Sequence, residues 1–300
     1  MATSLFFLGK GGVGKSTCSA LTALSLARAG RDVVLVSLDP AHNQCDIFQT
    51  DLSDRPRAVA PNLRVIEIEQ DRWIQRYLSD VQERIHENYR YLTSFNLEKY
   101  FRVLRHSPGL EEHALVMAFR SLQGRFGSAD ALVFDMAPTA LALKFFNLPS
   151  LTLIWAQELL KLRREIIDKR EIISRVKLLG REIETDKVLR RIEESIVEYT
   201  ELRELFEDPG LTRIMLVMNP DQLSLAESLR IVEGLEALDV KIERVLLNRF
   251  MAGSETALER IRQQITGPGL VTVPKSDQPL VGLDRLSAFL DDGSFPRVSL

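Results

Sequence analysis

Apolar residues along this chain fall into two textures. The first is a set of short, nearly unbroken apolar runs that end in small or polar residues: 5–8, 32–38, 62–69, 130–135, 212–218, 242–247 and 270–273. Runs of this length, rich in Val, Ile, Leu and Phe, predict strands of a parallel sheet buried on both faces. Ser224-Leu225-Ala226-Glu227 reads as a capping box that opens an amphipathic helix after the 212–218 run. The second texture is helical. From Trp73 to Leu104 the apolar positions Ile74, Tyr77, Leu78, Val81, Ile85, Tyr89 and Leu92 recur at helical spacing between charges. Pro108-Gly109 breaks that run and LEEHALVMAF resumes it. Glu158 to Asp208 is heavily charged, with one stripe at Leu159, Leu162, Ile166, Ile173 and Val176 and another at Leu189, Ile192, Ile196, Tyr199 and Phe206. From pattern alone, two helical hairpins burying their stripes against each other account for these segments.

Composition narrows the class. A chain of 300 residues, 45% hydrophobic and 27% charged, can form one large domain or two small ones. A net charge of -3 argues against nucleic-acid binding. Two cysteines, Cys18 and Cys45, build neither a disulfide framework nor a four-cysteine zinc site. His42, His86, His106 and His113 form no H-x-x-x-H pair. The start, MATSLFFLGK, is too short for a signal peptide, and no apolar run approaches the roughly 20 residues of a membrane span. The expectation is a cytoplasmic protein that is not an integral membrane protein.

Chemistry enters at Leu8–Thr17, LGKGGVGKST. Gly9, Gly14, Lys15 and Ser16 fill the pattern G-x-x-x-x-G-K-[ST] between a strand and a helix, the setting of a phosphate loop. Backbone N–H groups of such a loop and the positive end of the following helix close around a polyphosphate. Gly11, Gly12, Val13, Gly14, Lys15, Ser16 and Thr17 are the expected ATP contacts. Lys15 is expected to reach the β- and γ-phosphates, and Ser16 to place its hydroxyl on Mg²⁺. Two further apolar runs end in acids, Asp39 just beyond 32–38 and Asp135 at the end of 130–135. Strand ends of this kind face the crevice where open α/β sheets bind ligands. Asp135 is placed to hold Mg²⁺ through a water, and Asp39 reads either as a group facing that crevice or as a turn aspartate. Asn248, at the end of the 242–247 run, can both donate to and accept from an adenine edge; a plain strand-end asparagine is the alternative.

The extra lysine at Lys10 gives a KGGVGKST loop that resembles those of the ParA/MinD and ArsA-type ATPases, and DPAHNQCDIF (39–48) resembles the first switch of the ArsA type. SPGLEEHAL, DMAPTAL and FEDPGLT resemble further segments of that family, and Pro274 to Pro279 resembles its loop beside adenine. The resemblance implies a doubly wound, mostly parallel α/β sheet with a discontinuous inserted helical subdomain at 73–125 and 151–209, the core being 1–72, 126–150 and 210–300. It implies that Asp39 orients or deprotonates the attacking water, that Lys10 crosses a homodimer interface to the partner's nucleotide, and that Pro274 borders the base. It further implies an ATP-driven switch whose helical subdomain holds an apolar client, as in targeting factors for tail-anchored proteins, or else the motor of an arsenite or antimonite pump. Of the six methionines only Met117 falls in the helical segments, so a Met-rich client surface is not expected. Three departures stand out: Ala140 and Leu141 replace a usual glycine and histidine in the second switch, and Gln278 replaces a usual glutamate. The family's CxxC pair is missing, so no zinc-held dimer is expected.

Overall fold

The computed structural model describes residues 2–41, 43–88, 109–176, 186–298 and 300. They contain eight strands and nine helices in the order β1 (Thr3–Leu8), α1 (Lys15–Arg28), β2 (Val33–Ser37), α2 (Asn43–Phe48), β3 (Arg57–Ala60), β4 (Leu63–Glu67), α3 (Gln70–Asn88), α4 (Leu110–Phe126), β5 (Ala131–Asp135), α5 (Thr139–Val176), α6 (Lys187–Glu207), β6 (Thr212–Met218), α7 (Gln222–Glu236), β7 (Ile242–Phe250), α8 (Glu255–Gln264), β8 (Gly269–Pro274) and α9 (Leu283–Asp291). All strands join one sheet of order β3-β4-β2-β5-β1-β6-β7-β8. Every neighbouring pair is parallel except β3 with β4. The architecture is therefore α/β and mostly parallel, as expected.

The apolar runs are continuous because the central strands are covered on both faces. Leu5, Phe6, Phe7 and Leu8 of β1 are all fully buried. Leu5 and Phe7 belong to a core layer with Leu21 and Leu24 of α1 and Leu286 and Phe289 of α9. Phe6, pointing the other way, stacks on Phe134 of β5 at 4.8 Å and meets Phe119, Phe146 and Phe206. Helix α4, which the pattern assigns to the helical insert, joins this aromatic layer because Phe119 is fully buried in it.

The chain divides into two compact units. One comprises Met1–Tyr77, Pro108–Phe146 and Phe206–Leu300, and carries the whole sheet; the other comprises Leu78–Ser107 and Asn147–Leu205. In the second, Asp186 starts α6 by accepting backbone N–H bonds from Val188 and Leu189, both at 3.0 Å. Its carboxylate also takes Arg163 of α5 at 2.9 and 3.1 Å. Stripe positions Tyr89 and Leu92 and the Pro108 break lie outside the described residues, as does the structural setting of His42, His106 and the 177–185 stretch.

Three expectations change. Strand β3 has no sequence counterpart: RAVA is short, half exposed and antiparallel at the sheet edge, so it shows no buried run. The capping box fails. Helix α7 begins earlier, with Asp221 as the cap accepting from the Ser224 N–H at 2.8 Å, while the Ser224 hydroxyl accepts from the Asn219 N–H at 2.9 Å. Finally, one stretch, 139–169 in α5, does have the length and apolar content to cross a membrane, with 44% of its most apolar window buried in the protein. Its first turns carry Ala142, Phe145 and Phe146 into the aromatic layer, the ordinary reason for an apolar core helix.

Candidate functional site

Parallel strands bring their carboxyl ends to one edge of the sheet, and the register decides which residues meet there. Asp135 of β5 lies level with Phe7 of β1 on one side and Ser37 of β2 on the other. The loop after β1 and the segment after β2 therefore emerge on either side of Asp135. Gly9 sits at φ +148°, and a Cβ there would fall 2.1 Å from the Val217 carbonyl of β6. Gly14 caps α1 at φ +96°, with a Cβ position 2.4 Å from the Asn248 amide nitrogen. These two contacts explain why the loop needs glycine at its first and last pattern positions.

The charged groups are buried together. Lys15 is buried at the start of α1, and burial pushes its ammonium pKa down, opposed by the nearby carboxylates of Asp135 and Asp39. Its Nζ donates to the Lys10 carbonyl at 3.5 Å. Asp135 is fully buried; burial pushes its pKa up to about 6, against hydrogen bonds from Ser16 and Gln44 and the charge of Lys15. One of its oxygens, Oδ1, has no protein partner. An orphaned buried carboxylate oxygen beside a serine hydroxyl is a donor set that suits a hard divalent cation such as Mg²⁺. Asp39 is buried, with Oδ1 accepting the Ala41 N–H at 3.0 Å in a local turn.

A pocket of about 390 Å³ opens beside the loop, lined among others by Gly14, Thr17, Asn248, Pro274 and Gln278. Asn248 donates to the Val13 carbonyl at 2.8 Å, which props the loop. Its place is inside β7, where the register shifts between Leu247 and Phe250. Gly11 and Gly12 are exposed at the loop tip, and Lys10 beside them is half-buried.

Two residues of this edge were not expected at the site, although Gln44 lies within the DPAHNQCDIF segment. Glu67, at the end of β4 and level with Ser37, is buried and accepts the backbone N–H groups of Gln44 and Cys45 at 3.0 and 3.3 Å. The Cys45 thiol donates to its other oxygen at 2.7 Å, and burial together with this bond pushes the thiol pKa up. Gln44 is fully buried, and its amide nitrogen lies 3.1, 3.2 and 3.0 Å from the Ser16 carbonyl, the Ser19 hydroxyl and Asp135 Oδ2, three acceptors that share two N–H groups. Glu67 falls inside the 62–69 run, where it gave no signal of its own, and neither did a lone glutamine. Cys18 is sealed inside α1, its pKa pushed up to about 12 first by burial and then by Asp135. Among the described residues no group of three or more His, Cys, Asp and Glu could hold a metal by itself.

Comparison with known proteins adds the following. A family model described as anion-transporting ATPase matches residues 2–288. The putative arsenical pump-driving ATPase of Chlorobaculum tepidum is 28% identical over 96% of this chain and 74% of its own length. Putative arsenical pump-driving ATPase 2 of Aquifex aeolicus is 26% identical over 95% of this chain and 96% of its own. The ATPase get3 of Schizosaccharomyces japonicus is 26% identical over 96% and 91%.

Proposed function

The chain belongs to the anion-transporting (ArsA-type) ATPase family and is an ATPase, and from that premise we propose a dimeric, Mg²⁺-dependent nucleotide switch that captures and releases an apolar client. One observation carries the chemistry: Lys15, Asp135 and Asp39, from three separate segments, are buried together at the edge where the phosphate loop opens. In this reading, loop N–H groups from Gly11 to Thr17 and the Lys15 ammonium bind the phosphates of ATP. Asn248 and Pro274 flank the base in the adjoining pocket. Ser16 and Asp135 hold Mg²⁺, which neutralises charge developing on the transferred phosphoryl group. Asp39 orients the attacking water and accepts its proton. Lys10, at the half-buried loop tip, reaches the nucleotide of a second subunit.

The client reading rests on the helical unit. Leu151, Ile154, Trp155, Leu159 and Leu162 of α5 are exposed, an apolar stripe of the kind that marks a binding surface. Helix α5 starts at Thr139, inside the DMAPTAL segment, so the second switch and this stripe share one continuous helix. The protein works in the cytoplasm on this reading. The pump-motor alternative takes its support from the names of two relatives. A soft metalloid site would need thiolates together, yet Cys18 is sealed in α1 and the Cys45 thiol is held by Glu67.

The test separates binding from turnover. Asp39→Asn is expected to bind ATP normally and to hydrolyse it at least about a hundredfold more slowly, whereas Lys15→Ala loses binding itself. Near-normal hydrolysis by the Asp39 variant removes it from the catalytic role. Lys10→Ala should bind ATP but fail to dimerise with a non-hydrolysable analogue in light scattering. Arsenite-stimulated hydrolysis would restore the pump reading.

A further inference from the structure

We propose that Gln44 is a positioning residue that latches the first switch to the Mg²⁺ aspartate. The inference rests on the reading of Asp135 as the Mg²⁺ residue given above. Gln44 stands in the first turn of α2, the helix that follows Asp39 by a short turn. Its side chain is fully buried, and its two amide N–H groups are shared among three acceptors: the backbone of the loop helix at Ser16, the hydroxyl of Ser19 one turn on, and Oδ2 of Asp135. Its backbone N–H is held in turn by Glu67. Glu67 thus fixes the start of α2 from the β4 side, and Gln44 fixes it from the β5 side.

The consequence lies in what the bonds leave open. A carboxylate has two oxygens, and Gln44 takes Oδ2, while Oδ1 stays without a partner. The amide therefore sets the rotation of the Asp135 carboxylate and leaves one defined oxygen for the ion's hydration shell. The carbonyl of Gln44 is itself buried and unpartnered. A buried acceptor left unpaired is costly unless a donor arrives, and this holds for the Gln44 carbonyl and for Asp135 Oδ1 alike. Water held on a cation at Ser16 and Asp135 is such a donor. Gln44 would then meet Asp135 through its N–H and the hydrated ion through its carbonyl. Ion binding thereby tightens α2, and with it the segment that carries Asp39.

The test uses the full-length protein and three variants. Gln44→Leu and Gln44→Met both remove every bond made by the side chain, Met keeping its unbranched length; Asp135→Ala is the control on the parent reading. The first measurement is equilibrium binding of a fluorescent ADP analogue over a Mg²⁺ titration. Gln44→Leu is expected to raise the Mg²⁺ concentration for half-maximal tightening about tenfold, the weight of a hydrogen bond to a charged group, with affinity in EDTA unchanged. Gln44→Met should raise it to a similar extent. The second measurement, amide hydrogen exchange over 43–48 without nucleotide, should quicken about tenfold in Gln44→Leu and should slow on adding nucleotide and Mg²⁺ in the wild type only. In turnover, kcat should fall while KM for ATP holds. A Gln44→Leu protein whose Mg²⁺ requirement equals that of the wild type overturns the latch, provided Asp135→Ala has lost the Mg²⁺ response. If Asp135→Ala keeps that response, the Mg²⁺ reading of Asp135 is what fails. Should Gln44→Leu not fold, Gln44→Met alone decides: an unchanged Mg²⁺ requirement in it overturns the latch.

Discussion

In the sheet unit the large apolar side chains are inside, and the polar groups that are buried with them gather at one edge. In the helical unit the arrangement is reversed: Leu151, Ile154, Trp155, Leu159, Leu162 and Val197 are exposed, against only Leu223 and Met251 among the described residues of the sheet unit. Charge differs in the same way. The helical unit carries mostly exposed ion pairs, such as Lys161 with Glu158, Arg164 with Glu193 and Arg190 with Glu194. Pairs of this kind stabilise little, roughly 0–1 kcal/mol each. The sheet unit has exposed pairs too, such as Arg28 with Asp291 and Arg64 with Asp32, but it also places Lys15, Asp39, Asp135, Gln44 and Glu67 out of water, where each contact has to be satisfied. One unit concentrates its stability in packing and its chemistry at strand ends. The other leaves apolar surface for something else to cover.

The largest effect that could break this contrast is a hole in the aromatic layer. Phe6 is fully buried among five phenylalanine rings, including Phe134 at 4.8 Å and Phe146 at 5.1 Å. Phe6→Ala should cost about 3–5 kcal/mol in chemical denaturation, the usual range for a buried phenylalanine. A loss under about 1 kcal/mol would mean that the sheet unit does not hold its stability where its burial lies.

A second, smaller effect concerns buried charge. The Asp135 pKa is pushed up to about 6 by burial, so between about pH 4 and pH 6 the unfolded chain gives up this proton before the folded one does. Stability therefore falls as pH rises through that window and levels off above it. Asp135→Asn removes that slope. In metal-free buffer the variant should gain on the wild type by on the order of 2 kcal/mol between pH 4 and pH 7, read as the difference of two urea titrations. An unchanged difference would show that Asp135 pays no burial penalty.

How much of this was open to reading from the chain depends on what each residue faces. Strand runs such as 212–218 were legible because burial on both faces makes them uniformly apolar, and the phosphate loop because Gly9 and Gly14 are sterically required. Strand β3 was hidden because an exposed edge strand imposes no pattern. Helix α4, which the resemblance assigns to the helical insert, has a stripe like that of any other amphipathic helix, and it is Phe119 meeting Phe6 and Phe134 that shows which layer it covers. The Asp221 cap was missed because Ser224 offered a competing motif three residues later. Gln44 was beyond reach. Its role depends on three acceptors that tertiary packing brings together, and no local spacing encodes that.

The third effect tests how the helical unit is held. Asp186 caps α6 and pairs with Arg163 while both are largely shielded from solvent. Burial alone would raise its pKa, but Arg163 and the two backbone N–H groups win, and the net shift is downward. Its contribution is present above the ordinary aspartate pKa and is lost as pH falls through the lowered value. Asp186→Ala should cost about 1–2 kcal/mol at neutral pH, the range for a lost cap with a charge-assisted bond. Exchange of the first α6 amides should quicken, and those of β1 and β5 should not change.

The smallest expected effect is the sharpest test of the contrast. Trp155 is 71% exposed and Ile154 61%, so replacing either with lysine removes apolar area from water contact without opening a cavity. Trp155→Lys should shift stability by no more than about 0.5 kcal/mol, the ordinary range for an exposed position. Burial of the same side chain elsewhere would make its truncation cost about 3–5 kcal/mol. The two outcomes are far apart, so a melting curve separates them. The same variant should bind less of a fluorescent apolar-surface probe, and an apolar helical peptide should compete for what remains. A large stability loss would mean that Trp155 is covered in solution, and the stripe would then be a packing surface with no vacancy for a client. Unchanged stability with unchanged probe binding would place the probe elsewhere and remove α5 from the client reading. Unchanged stability with reduced probe and peptide binding is the result the exposed stripe requires, because only an uncovered face can lose a ligand without losing the fold.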